Sequence, residues 1–201
     1  MKTKALLLGA AIATAVSACA TTTSPTGRTQ YVGAVSQEQL NQLGEQAFLQ
    51  AKSKTPQSRD GRQNAYVGCV VDAIVRQLPP QWRQLRWEEA LFADQETNAW
   101  ALPGGKVGVN DGIFKAARNQ DQLAGVIAHE IGHVVSRHHD ERITRQALAS
   151  GVLQVGGAVA GARYGEGVGS AVTQGGGIFA QAGFLLPNSR AQELEADIVG
   201  Q

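Results

Sequence analysis

His129-Glu130-Ile131-Gly132-His133 stands inside a run whose apolar residues Leu123, Val126, Ile127 and Ile131 recur at helical spacing. The run, Gln120 to His138, therefore reads as an amphipathic helix, opened by Asn119 or Asp121. Two histidines at i and i+4 project from one face, one turn apart, so both imidazoles can reach a single ion. Glu130 lies one residue round the helix from His129, placed to take a proton from an attacking water rather than to ligate. Zinc suits such a set: imidazole donors, a borderline-soft ion, and a catalytic centre that takes three protein ligands and keeps one position open. The competing reading is a pair of surface histidines on a solvated helix.

A third ligand is needed, and the spacing leaves two candidates. His139 follows His133 by six residues, as in metzincins, but those carry Gly where this chain has Ser136. That Gly lets the chain turn sharply. Without the turn His139 stays about 120° from His133 on the helix, and His138 about 140° away. Both then read as surface groups or as groups behind the ligands. The other candidate is Glu193 in Ser189-Arg190-Ala191-Gln192-Glu193-Leu194-Glu195-Ala196-Asp197. Glu193 and Asp197 share a helix face, so one carboxylate can ligate while the other holds the far N–H of a ligand imidazole. Glu195 is about 200° from Glu193 and points elsewhere. Acidic residues also favour the first turns of helices in their own right.

The N-terminus reads as an address rather than as fold. Lys2 and Lys4 precede an uncharged run from Ala5 to Val16, too short to span a bilayer and laid out like a signal peptide. Val16-Ser17-Ala18-Cys19 resembles a bacterial lipobox, which implies cleavage before Cys19 and lipidation of its thiol. A plain secretory signal cut at the same place is the alternative. Ala20, rather than Asp, after the cysteine implies the periplasmic face of the outer membrane. Residues 20–30 are Thr, Ser, Pro, Gly and Arg with little to bury, and read as a flexible tether. The expected organisation is a leader over 1–18, a lipidated Cys and tether over 19–35, and one domain over 36–201.

Composition removes several classes. With 18 basic and 17 acidic residues the formal charge is +1, so there is no electrostatic footprint for nucleic acid. At 43% hydrophobic the chain can build a core, and two cysteines cannot make a disulfide scaffold. Cys69, in an apolar helical stretch, reads as a small buried hydrophobe.

Elsewhere the pattern is mixed helix and strand. Ser36 to Lys54 reads as a helix with Leu40, Leu43, Ala47 and Ala51 on one face. Gln63 to Leu78 reads as a second, carrying Val67, Val70, Val71, Ile74 and Val75 and stopped by Pro79-Pro80. Strands are expected over Leu85 to Phe92, Asn98 to Leu102 and Lys106 to Asn110, the last two joined by a Pro103-Gly104-Gly105 turn. Asp111 is expected to cap a short helix through Arg118, and Arg137 to Arg145 to continue as a solvated helix or bend. Gly151 to Gly183 holds 11 of the 24 glycines. It reads as two Gly-rich helical pieces, either packed closely or forming a mobile hairpin over a cleft. Asn188 or Ser189 caps a final helix.

His-Glu-Ile-Gly-His followed by Ser-Arg-x-x-Glu-x-Glu-Ala-Asp resembles the zinc metallopeptidases of family 48. That group holds the CAAX prenyl proteases, the HtpX heat-shock proteases and periplasmic or lipoprotein relatives. The resemblance extends to Asn98-Ala99-Trp100-Ala101-Leu102-Pro103-Gly104-Gly105 and covers Leu85 to Gln201. It implies an α+β, mostly helical, zincin-like domain with a small edge β-sheet. It implies one zinc per chain held by His129, His133 and Glu193, with Glu130 as general base and Asp197 behind a ligand. It also implies that Asn98, Ala99, Trp100, Ala101 and Leu102 form an edge strand beside the cleft. An extended peptide can add to such an edge through main-chain hydrogen bonds; core packing is the plainer reading of Trp100 and Leu102. Membrane relatives carry transmembrane helices between the two motifs, where this chain has its Gly-rich stretch, so a domain held by lipid alone is expected. The chain ends four residues after Asp197, where family members usually continue, which implies a fragment or a short form. The expected activity is endopeptidase action on unfolded or misassembled proteins of the bacterial envelope. A chaperone or assembly factor that keeps the fold without cutting is the alternative.

Overall fold

The computed structural model describes residues 20–148 and 189–201. The leader 1–18, Cys19 and the stretch from Gly151 to Gly183 lie outside the described residues. The chain divides into two units, one within Met1–Ser36 and Asp140–Pro187, the other Gln37–His139 and Asn188–Gln201.

In the first unit, strands β1 (Ala20–Thr23) and β2 (Thr29–Val32) pair antiparallel, with Ala20 opposite Val32 and Thr23 opposite Thr29. The stretch expected to be a flexible tether is thus a hairpin. Gly27, at φ 90°, closes its turn by donating to the Ser24 carbonyl. Gln30 and Val32 are buried. The Arg28 guanidinium meets the buried Glu141 carboxylate through two 2.8 Å hydrogen bonds, and Arg145 reaches the same carboxylate at 2.6 Å. The Gly33 amide donates to Asp140 and the Ala34 amide to Thr144. Asp140, Glu141 and Thr144 are buried, so this part of the expected solvated stretch is interior. Buried charge of this kind persists only when paired.

The second unit carries a three-stranded sheet. Strands β3 (Glu88–Phe92), β4 (Ala99–Leu102) and β5 (Lys106–Asn110) lie in the order β3-β5-β4, with β3 parallel and β4 antiparallel to β5. Helices cover both faces. On one face, Val67, Val70 and Val71 of α2 (Gly61–Gln77) pack with Leu91, Val107 and Val109 of the sheet and Leu123, Ile127 and Ile131 of α4 (Gln120–Val135). On the other, Phe48 of α1 (Gln37–Lys54) packs on Ala90 and Phe92. A one-turn helix α3 (Pro80–Arg83) follows α2, a 3-10 turn spans Asp111–Lys115, and α5 (Arg190–Val199) packs on α4.

Two-sided cover corrects several expectations. Ala90, Leu91 and Phe92 are all buried, as in a strand covered on both faces, and β3 begins only at Glu88 rather than at the expected Leu85. The buried face of α1 is Leu40, Gly44 and Phe48, while Leu43 and Ala47 are exposed. A side chain at Gly44 would meet the Pro103 carbonyl oxygen at 2.0 Å, so the absence of one lets α1 rest on the β4–β5 turn. Asp60 caps α2 by accepting from the Arg62 and Gln63 amides. Cys69 faces solvent instead of the core. Pro79 ends α2, but Pro80 starts α3, since a proline at a first helical position forfeits no hydrogen bond. No described helix is long and apolar enough to cross a membrane.

A charged cluster joins α1 to the sheet. The buried Lys106 ammonium lies 2.8 Å from Glu45 and 2.9 Å from Glu88, and Lys52 also pairs with Glu88. Burial works to lower the Lys106 pKa, but its hydrogen bonds to Glu45 and Glu88 outweigh it and hold the ammonium above its usual range. Hydrogen bonds from Lys52 and Lys106 hold the Glu88 carboxyl below its usual range against a smaller effect of burial.

Candidate metal centre

Helix α4 starts where its sequence says it should. The Asn119 side chain accepts from the Gln122 amide, and Leu123, Ile127 and Ile131 bury one stripe. His129 and His133 stand one turn apart beside that stripe. Helix α5 begins with a reciprocal cap: Ser189 accepts from the Gln192 amide while the Gln192 side chain accepts from the Ser189 amide.

The two helices meet at nearly bare backbone. A side chain at Gly132 would stand 2.8 Å from the Ala196 carbonyl oxygen, and one at Gly200 would stand 2.9 Å from the Ala128 carbonyl. Ala196 itself is fully buried. This close crossing carries the carboxylates of α5 over the imidazoles of α4.

There His129, His133 and Glu193 converge, with one donor atom from each lying within 4.8 Å of the others. The Nε2 atoms of His129 and His133 face each other at 3.1 Å. Glu193 places one oxygen 3.2 Å from His129 Nε2 and the other 3.7 Å from His133 Nε2. Ligands about 2.1 Å from a tetrahedral zinc stand roughly 3.4 Å from one another. The separations fit that requirement, and two imidazole nitrogens aimed at each other beside a carboxylate form the donor set of such an ion. His129 Nδ1 donates to Asp197 at 2.8 Å, which presents Nε2 as its free lone pair. Glu130 is half-buried on the same helix.

Behind His133 lie His138, read from the sequence either as a surface group or as a group behind the ligands, and Glu195, read as pointing elsewhere. Helix α4 stops at Val135, short of the expected His138, because Arg137 takes a left-handed φ of 55°. Helical structure resumes at residue 138. The chain thus makes the sharp turn that the missing glycine argued against, and does so on a residue type that rarely adopts it. The turn returns His138, not His139, toward His133. His138 Nδ1 lies 2.7 Å from His133 Nδ1, and His138 Nε2 lies 3.1 Å from Glu195 Oε2. His138 and Glu195 are buried, so the surface alternative for His138 is corrected. Neither Ser136 nor Arg137 signals that turn in the sequence.

The segment from Asn98 reads differently at each position. Strand β4 pairs with β5, and among the described residues no strand pairs with its other edge. Ala99 and Ala101 are buried in the core that α4 shares. Trp100 stacks on Phe92 with ring centroids 5.9 Å apart and meets Phe48 edge-on at 6.0 Å. Trp100 and Leu102 therefore pack under α1. Asn98 is exposed, its carbonyl accepting from the Asn110 amide.

Comparison with known proteins agrees with this geometry. The model of peptidase family M48 matches residues 61–201. The chain is 36% identical to the mitochondrial metalloendopeptidase OMA1 of Schizosaccharomyces pombe over 67% of its own length and 37% of that protein's. It is 33% identical to OMA1 of Saccharomyces cerevisiae over 58% of its own length and 31% of the relative's. It is 38% identical to the beta-barrel assembly-enhancing protease of Escherichia coli K12 over 33% of its own length and 14% of that protein's. The chain thus spans between 14% and 37% of the length of these curated relatives.

Proposed function

This chain belongs to peptidase family M48, whose members are zinc metallopeptidases, and we propose that it is a zinc-dependent endopeptidase of the bacterial envelope. The observation that carries the reading is the convergence of His129 and His133 of α4 with Glu193 of α5, with Glu130 following His129 on α4. Zinc bound there would polarise a scissile carbonyl and lower the pKa of a water toward about 7. Glu130 accepts the proton of the attacking water and passes it to the leaving amine. Asp197 holds the His129 ring in the tautomer that ligates.

The substrate in this reading is an unfolded or misassembled envelope protein. Its extended backbone adds to the edge of β4 that no described strand occupies, in a mode that tolerates many sequences. What supports this is the edge position of residues 99–102 beside α4 and the likeness to a bacterial protease named for β-barrel assembly. The mitochondrial relatives share the family but not that compartment. Export through residues 1–18 and lipidation at Cys19, on the periplasmic face of the outer membrane, belong to the same proposal.

The test is the full chain beside Glu130→Gln, each assayed for bound zinc and for cleavage of an unfolded protein such as casein. The parent should hold about one zinc per chain and cut; the variant should keep the metal and lose cutting. Normal turnover by Glu130→Gln would remove that residue from its role. A zinc-loaded parent that holds the client uncut would favour a chaperone.

A further inference from the structure

Helix α5 presents three carboxylates near one metal centre, and two of them have evident uses. Glu193 faces the donor cluster and Asp197 holds His129. His133 is the more buried of the two histidines, and the group at its Nδ1 is an imidazole, His138. The third carboxylate, Glu195, lies at the far nitrogen of that imidazole. We propose that His138 and Glu195 are a positioning pair that fixes His133 for the metal, with His138 carrying the hold of the Glu195 carboxylate across to the ligand ring.

The order of donors follows from the contacts. A carboxylate only accepts, so His138 donates from Nε2 to Glu195. A neutral imidazole that donates from Nε2 accepts at Nδ1, so His133 donates its Nδ1–H to His138. That leaves the lone pair of His133 on Nε2, which faces His129 and Glu193. One chain of tautomers thus runs from Glu195 to the ligand nitrogen, with every hydrogen bond donated in the same direction. His129 reaches the same end with one carboxylate; His133 needs the intervening ring.

The cost of this arrangement argues that it is used. It buries an imidazole and a carboxylate where apolar side chains would pack at no electrostatic penalty. It also needs a left-handed Arg137 to bring His138 round. Partners of metal-ligating histidines orient the ring and raise its basicity, and their loss commonly weakens metal binding 10- to 100-fold.

The proposal rests on the zinc reading above, so the experiment separates the two. The full chain, His138→Phe, His138→Asn and Glu195→Gln are compared in competition with a chromophoric zinc chelator. Circular dichroism of each metal-free protein checks the fold. His138→Phe should raise the zinc dissociation constant about 10- to 100-fold. His138→Asn should recover part of the loss, because its amide oxygen can accept from His133 Nδ1–H. In proton NMR the zinc-loaded parent should show downfield imidazole N–H signals, and Glu195→Gln should move one of them. Folded His138→Phe or Glu195→Gln with the parent's dissociation constant would overturn the proposal, as would Asn performing no better than Phe. If His138→Phe does not fold, Glu195→Gln decides alone, with a several-fold weakening expected and none overturning. A parent that binds no zinc defeats the underlying reading, an outcome visible before any variant is compared.

Discussion

Gly132 lies beneath Ala196 so closely that a methyl group on it would stand 2.8 Å from the Ala196 carbonyl oxygen. The glycine between Glu130 and His133 is therefore a contact point of α4 and α5, and the spacing of those helices sets the distance from Glu193 to both imidazoles. Gly132→Ala should separate the helices. Alanine is the better helix former by about 1 kcal/mol, but overpacking against rigid backbone costs about 1–3 kcal/mol. We expect a lower unfolding temperature and weaker zinc binding, read by calorimetry and by chelator competition. Unchanged affinity in a stable variant would mean that the crossing tolerates more space than the structure implies.

Glu193→Ala and Asp197→Asn should differ in degree. Removing Glu193 takes away a donor of the cluster, so zinc should fall well below one per chain in chelator-buffered solution. Asp197→Asn keeps a polar group at His129 Nδ1 and should weaken binding by about tenfold. Metal analysis after gel filtration distinguishes them; an Asp197 effect as large as that of Glu193 would make Asp197 a ligand.

Zinc should also stabilise the fold. A ligand at about 100 times its dissociation constant adds roughly 2.7 kcal/mol, so chelation should lower the unfolding temperature of the parent by several degrees. In Glu193→Ala the shift should shrink toward zero. An equal shift in both proteins would locate the stabilising metal elsewhere.

The cluster of Glu45, Lys52, Glu88 and Lys106 predicts two pH limits. Glu88 is held below its ordinary value of 4.5, so its stabilising contribution is present above that pH and is lost as acid takes the pH down through its folded value. Lys106 is held above its ordinary value of 10.5, so its contribution is present below that pH and is lost as alkali passes its folded value. The stability gap between parent and Glu88→Gln, measured by urea unfolding, should be open near pH 7 and close well below pH 4.5. A gap independent of pH would assign the effect to packing.

Trp100→Ala should cost about 3 kcal/mol, because the ring fills the space between Phe48, Phe92 and Gly108. Thermal unfolding measures it. A variant as stable as the parent with impaired peptide affinity would return Trp100 to the cleft.

Where side chains act locally, the order of residues was enough. Histidines four apart share a helix face by geometry, Asn119 and Ser189 cap by short-range hydrogen bonds, and Pro103-Gly104-Gly105 turns β4 back onto β5 because Gly104 and Gly105 accept positive φ. The same local rules misjudged α1, β3 and Cys69, whose buried faces depend on what lies across from them. Residues 20–32 lack apolar pattern, yet they order through main-chain pairing and the long-range ion pair of Arg28 with Glu141.

The sequence by itself determined the face of α4 that carries both histidines, the caps that start both site helices, and the chemical class of the candidate donors. Only the tertiary structure decided that α5 would cross α4 at Gly132, that Arg137 would turn left-handed, and that His138 and Glu195 would close up behind His133. The physical reason is range. Periodicity and capping act within a turn or two of chain, whereas a helix crossing and a strained backbone angle are set by packing between segments far apart in sequence.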